Sequence, residues 1–90
     1  MKIKGNLKIR EIAGEKIVIL EKSEQVDFTR VMVLNGTSEW LWNQLIGKEF
    51  DSEHVAVLLK SKYIVEESVA LDNALTWIKT LKQYDVIEEK

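Results

Sequence analysis

Cysteine and proline are both missing from the 90 residues. Without cysteine there is no disulfide, no thiol nucleophile and no thiolate metal site, which fits a reducing compartment. Without proline, no helix or strand is interrupted from within. Glycine is sparse: Gly5, Gly14, Gly36 and Gly47 stand singly and cannot build a phosphate-cradling loop. The single histidine, His54, has no companion ligands in a metal-binding pattern and reads as a surface residue at the start of a helix. None of Ser23, Ser38, Ser52, Ser61 and Ser68 lies in a G-x-S-x-G nucleophile motif. The pairs Glu66-Glu67 and Glu88-Glu89 are adjacent, and adjacent helical residues point apart. They read as a helix start and a solvated tail. These absences predict a chain that is not an enzyme and holds no cofactor or metal.

Charge of one sign is also lacking. Thirteen basic residues stand against fifteen acidic ones, for a net charge of −2, with the signs mixed along the chain. Arg10 and Arg30 are the only arginines. A DNA reader needs cations for phosphates and base edges, so little counterion release would drive such binding here. No run approaches the roughly 20 apolar residues of a membrane span, and Met1–Gly5 lacks the apolar core of a signal peptide. The expectation is a cytoplasmic protein with neither nucleic acid nor membrane as partner. The length predicts one domain over residues 1–90, with a thin core.

What is present begins as β. Leu7 to Ile12 alternates, Ala13-Gly14-Glu15 resembles a hairpin connection, and Lys16–Leu20 follows. Glu21 to Gln25 is polar and reads as a loop, and Thr29–Leu34 is a third strand rich in branched residues. After it, Trp40, Leu41, Trp42, Leu45 and Ile46 recur at helical spacing. Asn35 or Thr37 is therefore an N-cap rather than part of a hairpin turn, and Gly47 is a stop. A second helix starts at Asp51 or Ser52 and carries Val55, Leu58 and Leu59. A third spans Glu67 to Gln83, acidic at its start and basic near its end. Val86-Ile87 adds a short terminal strand. The predicted fold class is α+β: a three-stranded antiparallel sheet followed by a three-helix, winged helix-turn-helix domain.

The third helix has two apolar stripes: Leu71, Leu75 and Ile78, and Ala70, Ala74, Trp77 and Leu81. Either a thin sheet and two short helices cover both, or one packs inside while the other lines a groove. In the second case the small alanines leave room and Trp77 supplies a wall.

Leu34-Asn35-Gly36-Thr37, followed by Trp42, Leu45 and Gly47, resembles the PqqD family signature. Val55, Leu59, Tyr63 and Val65 continue it, as do Asp72, Trp77-Ile78, Leu81 and Val86-Ile87. The resemblance covers about residues 31 to 88. It departs at Gly36, where the family often has an acidic residue, and at Ile46-Gly47, where it often has Asp-Gly. Residues 1 to 28 match only in being strand-like. The resemblance implies non-catalytic recognition of the leader of a ribosomally made precursor peptide, presented to a modifying enzyme such as a radical S-adenosylmethionine maturase. It also implies strand addition beside Thr29, Arg30, Val31, Met32, Val33 and Leu34, in a cleft facing Ala70, Ala74, Trp77 and Leu81. The groove stripe would then be the one with Trp77, and Leu71, Leu75 and Ile78 would be core. The product need not be pyrroloquinoline quinone; another peptide pathway fits equally. Two other functions are compatible with the architecture: a DNA-binding winged helix, and an interaction or oligomerisation subunit without a peptide ligand. An exposed strand also makes a homodimer feasible.

Overall fold

The computed structural model describes residues 1–21 and 26–88, and the side chains of residues 1–20 and 31–88. Its elements are β1 (Lys2–Ile3), β2 (Ile9–Ile12), β3 (Glu15–Glu21), β4 (Val26–Leu34), α1 (Gly36–Leu45), α2 (Ser52–Lys62), α3 (Glu67–Gln83) and β5 (Ile87–Glu88). The fold is α+β. An antiparallel sheet of order β2-β3-β4 precedes the three helices. Glu21, expected in a loop, extends β3, and the remainder of that predicted loop lies outside the described residues.

The sheet takes its parity from the turn between β2 and β3. Ala13 and Gly14 both have positive φ, 52° and 81°, the conformation of a two-residue type I′ hairpin. The strands close on the pair Ile12 and Glu15, which in such a hairpin exchange both backbone hydrogen bonds. Bonded and non-bonded pairs then alternate along an antiparallel ladder. Arg10 with Ile17 is bonded next, so Lys16 and Val18 turn their N–H and C=O groups toward β4. Their partners there are Leu34 and Met32. Val31 and Val33 consequently point their backbone groups away from the sheet, at the edge that β4 forms. A register shift between Ile19 and Glu21 limits this parity to the stretch from Val31 to Leu34.

Side chains alternate too. Val18, Leu20, Met32 and Leu34 face the helices and are buried, whereas Val33 is exposed. The core beneath them holds Leu41 and Trp42 of α1, Phe50, Val55 and Leu59, and the inner face of α3. Asn35 is the cap of α1, its Oδ1 accepting from the Ser38 N–H at 2.8 Å. Asp51 caps α2 reciprocally: its carboxylate accepts from the His54 N–H, and the His54 ring nitrogen accepts from the Asp51 N–H. The lone histidine is thus an exposed helix residue with a capping duty. Gly47 takes φ 79° just beyond α1, as a chain reversal there requires. The terminal strand pairs with β1, a strand that the sequence pattern did not announce. Together they bury Ile3 and Ile87.

The two stripes of α3 sit the other way round from the expectation. Ala70, Ala74 and Leu81 are fully enclosed and Trp77 nearly so, while Leu71 and Leu75 are 38% and 51% exposed. Of the three residues expected in the core, only Ile78 lies inside. The reason is steric. Small side chains at i and i+4 let α3 settle against its neighbours, and the bulky Trp77 and Leu81 fill the space farther along the same face. The indole of Trp77 packs on Phe50, with centroids 6.5 Å apart. Leu41→Ala should therefore lower unfolding free energy by about 2–5 kcal/mol, whereas Leu75→Ala should change it by less than about 0.5 kcal/mol. Urea denaturation of both variants checks the contrast.

Lys16 joins sheet to helix, with its ammonium 2.8 Å from Glu11 and 3.5 Å from Glu39 of α1. The hydrogen bond and charge of Lys16 hold the Glu11 carboxyl below its ordinary pKa, and Glu11 in turn raises Lys16. The backbone hydrogen bond from His54 lowers Asp51 in the same sense. A lowered carboxyl stabilises the fold above its unfolded pKa and loses that contribution as pH falls through the folded value. A raised lysine contributes below its unfolded pKa and loses it as pH rises through the folded one. Stability contributed by these groups should thus be level from about pH 5 to about pH 9 and decline below about pH 4. Chemical denaturation across pH, with Glu11→Gln losing part of the acid-side decline, is the check.

Candidate functional site

α3 packs on α2, and β4 packs on β3 and α1, leaving a gap between β4 and α3. This gap is a cleft of about 710 Å³. One wall is the edge of β4 at Met32 and Val33, and the other is α3 at Asn73, Thr76, Trp77 and Thr80. Leu41 and Leu59 lie at its base, Asn35, Thr37 and Ser38 enter from the start of α1, and Tyr63, Ile64 and Val65 come from the α2–α3 connection.

Met32 and Val33 have opposite side-chain directions, yet both border the cleft. What they share toward it is the backbone edge. Among the described residues, no backbone hydrogen bond outside the β3 ladder engages Val31–Leu34. The outward amide and carbonyl groups of Val31 and Val33 thus have no partner among the described residues, and an unpaired strand edge is a template for another strand.

Among the described residues, none bordering the cleft is acidic or basic. The polar groups are hydroxyls and amides, several already engaged. Thr37 and Tyr63 share a hydrogen bond of 2.9 Å between their hydroxyls, which ties the start of α1 to the end of α2. Asn35 spends its Oδ1 on the cap. Thr80 donates to the Thr76 carbonyl, so its oxygen keeps lone pairs for a ligand. The cationic neighbour Lys62 lies over the Trp40 ring, 4.6 Å from its centroid, away from the cleft lining. Apolar groups dominate the base and the loop side, where Ile64 is fully exposed. A buried N–H without a partner belongs to the Trp77 indole.

Of the residues expected at the site, Met32, Val33 and Trp77 border the cleft. Val31 is half-buried on the same edge and Leu34 is buried in the core. The backbones of Thr29 and Arg30 belong to β4, and their side chains lie outside the described residues. Ala70, Ala74 and Leu81 do not line the groove; they form the enclosed face of α3 behind it. The sequence reading missed the face that does, Asn73, Thr76 and Thr80. Its signal was there: an uncharged polar row at i, i+3 and i+7 on a helix whose remaining exposed positions are largely charged or apolar.

Among the described residues, no group of three or more histidine, aspartate or glutamate side chains is placed to hold a metal ion. No helix there is long and apolar enough to cross a membrane. Because Asn35 both borders the cleft and caps α1, its loss has a structural cost. Asn35→Ala should lower stability by about 1 kcal/mol, measured as a shift in the urea midpoint, with Asn35→Ser recovering most of it.

No family model matches the chain, and no curated protein matches it in sequence. Among solved structures, TbiB1 in complex with the TbiA(beta) leader peptide is similar to it. The two share 14% identity with a TM-score of 0.72, over 100% of this chain and 98% of that one. Over its whole length, the chain has the fold of TbiB1.

Proposed function

We propose that this chain is a non-catalytic recognition domain, acting as one unit over residues 1–90, for the leader of a ribosomally synthesised precursor peptide. The leader adds as a strand to the edge of β4 beside α3, and the domain presents it to a modifying enzyme, of which a radical S-adenosylmethionine maturase is one type. The observation that carries this reading is the edge at Val31 and Val33, without a partner among the described residues and opening into a cleft whose described lining is uncharged, with an apolar base. Backbone pairing supplies affinity with little demand on sequence, and the pockets between strand and helix supply selectivity. The fold supports the reading, since TbiB1 was solved with a leader peptide.

Electrostatics favour a peptide over DNA. α3 sets Glu67 and Asp72 against Lys79 and Lys82, has no arginine, and turns a neutral face to the cleft. A second copy pairing through β4 would occupy the same edge, so a homodimer would compete with the peptide.

The parity of β4 makes the test specific. Proline at an outward position removes no ladder bond, while proline at an inward one does. Val33→Pro should keep the circular dichroism spectrum of the parent, and Met32→Pro should disrupt the fold. Peptides selected on the parent chain from a random display library should bind the folded Val33→Pro variant about tenfold more weakly or worse. Equal binding to parent and variant would place recognition somewhere other than this edge. Genes for a short precursor peptide and a peptide-modifying enzyme beside this one would be an independent mark of the pathway.

A further inference from the structure

A strand placed against β4 has two edges. One pairs with Val31 and Val33. The other faces α3, and its amides and carbonyls leave water unless something answers them. A buried backbone group without a partner is costly. The wall it meets is polar and neutral: Asn73, Thr76 and Thr80 on one face of α3, with Trp77 beside them. The Asn73 amide is exposed and makes no hydrogen bond within the described structure, so it offers both donor and acceptor. Thr80 keeps acceptor capacity. The Trp77 indole N–H is enclosed and has no partner among the described residues, so it is not among the groups that a strand in the cleft reaches.

From these observations, and resting on the strand-addition reading above, we infer that α3 is a second hydrogen-bonding edge: Asn73, with Thr76 and Thr80, pairs the far-side backbone groups of an extended, uncharged peptide segment. The dimensions agree. Asn73 to Thr80 covers about 10 Å of helix, the length of about three strand residues. Alternate strand residues face the same way, so one or two of them present backbone groups to α3 over that length. Three side chains suffice to meet them. The same geometry accounts for a helix face that borders a largely apolar cleft and is nonetheless polar. It also selects the ligand, because a charged side chain in that segment would lose hydration to a wall with no counter-charge.

The experiment uses the whole 90-residue chain and a peptide selected on it from a random display library, whose binding Val33→Pro weakens. Each backbone amide of the peptide is replaced in turn by an ester, which removes the N–H with little change in shape, and affinity is measured by calorimetry. The expected result is a loss of roughly three- to tenfold per ester at central positions of both parities. In Asn73→Leu the loss at the α3-facing amide that Asn73 meets should shrink toward none while those at the β4-facing parity persist, and Asn73→Gln should restore it. Losses confined to one parity, unchanged by Asn73→Leu, overturn the second edge and leave strand addition standing. Indifference at both parities, or failure to obtain any peptide sensitive to Val33→Pro, overturns both.

Discussion

A two-residue turn sets the parity of the sheet. Once Ala13 and Gly14 adopt left-handed backbone angles, Ile12 and Glu15 must be a bonded pair, and the alternation passes from β2 through β3 to β4. Two things follow together. Met32 and Leu34 bond inward and also turn their side chains to the core, while Val31 and Val33 keep their backbone groups at the edge. Slipping the register by one residue would bury Val33, expose Met32 and hand the outward backbone groups to Met32 and Leu34. The register of the sheet and the outward groups of β4 therefore both follow from one local conformation at Ala13 and Gly14. Ala13 is an unusual residue for it, since only glycine and asparagine take that backbone region without strain.

The second constraint is the approach of α3. Ala70 and Ala74 let that helix sit against the core, with Trp77 anchored on Phe50. Rotating α3 to bury Leu71 and Leu75 would pull Trp77 out and swing Asn73, Thr76 and Thr80, which lie on the opposite flank of the buried face, away from the cleft toward solvent. The neutral polar row is in this sense fixed by the alanine stripe. One face determines how the helix packs, and the neighbouring face is thereby aimed at the cleft.

Much of this was legible in the sequence. The bounds of α3 follow from periodicity and from acidic and basic ends; side-chain chemistry narrows the caps to Asn35 or Thr37 and Asp51 or Ser52; the β2–β3 hairpin follows from Gly14 between two strand-like runs. The orientation of α3 was not. A helical wheel reports two apolar stripes but not the distance to the neighbouring elements, and that distance decides whether alanine or leucine faces in. Nor was the β1–β5 pairing legible, because strands of two residues have no period to detect. The loop side of the cleft escaped for a similar reason. Tyr63, Ile64 and Val65 form an apolar run between helices that periodicity assigns to nothing, and only the folded chain shows them beside β4.

The fold shared with TbiB1 despite 14% identity can be understood in the same terms. Backbone pairing at an edge needs a strand of fixed parity and room beside it, and many sequences can supply both. The residues around the room are under a different demand. They contact whatever enters, so they can diverge with the ligand while the strand and the helix approach stay as they are. On this view the register of β4 and the alanines of α3 carry the mode of binding. In the proposed strand-addition mode, selectivity would fall to the residues that line the cleft without holding it up: Asn73, Thr76 and Thr80 on the helix, and Ile64 on the loop. Ile64 contributes almost nothing to the core, being fully exposed, and a large apolar side chain held in water beside an open strand edge gains burial only when a ligand covers it.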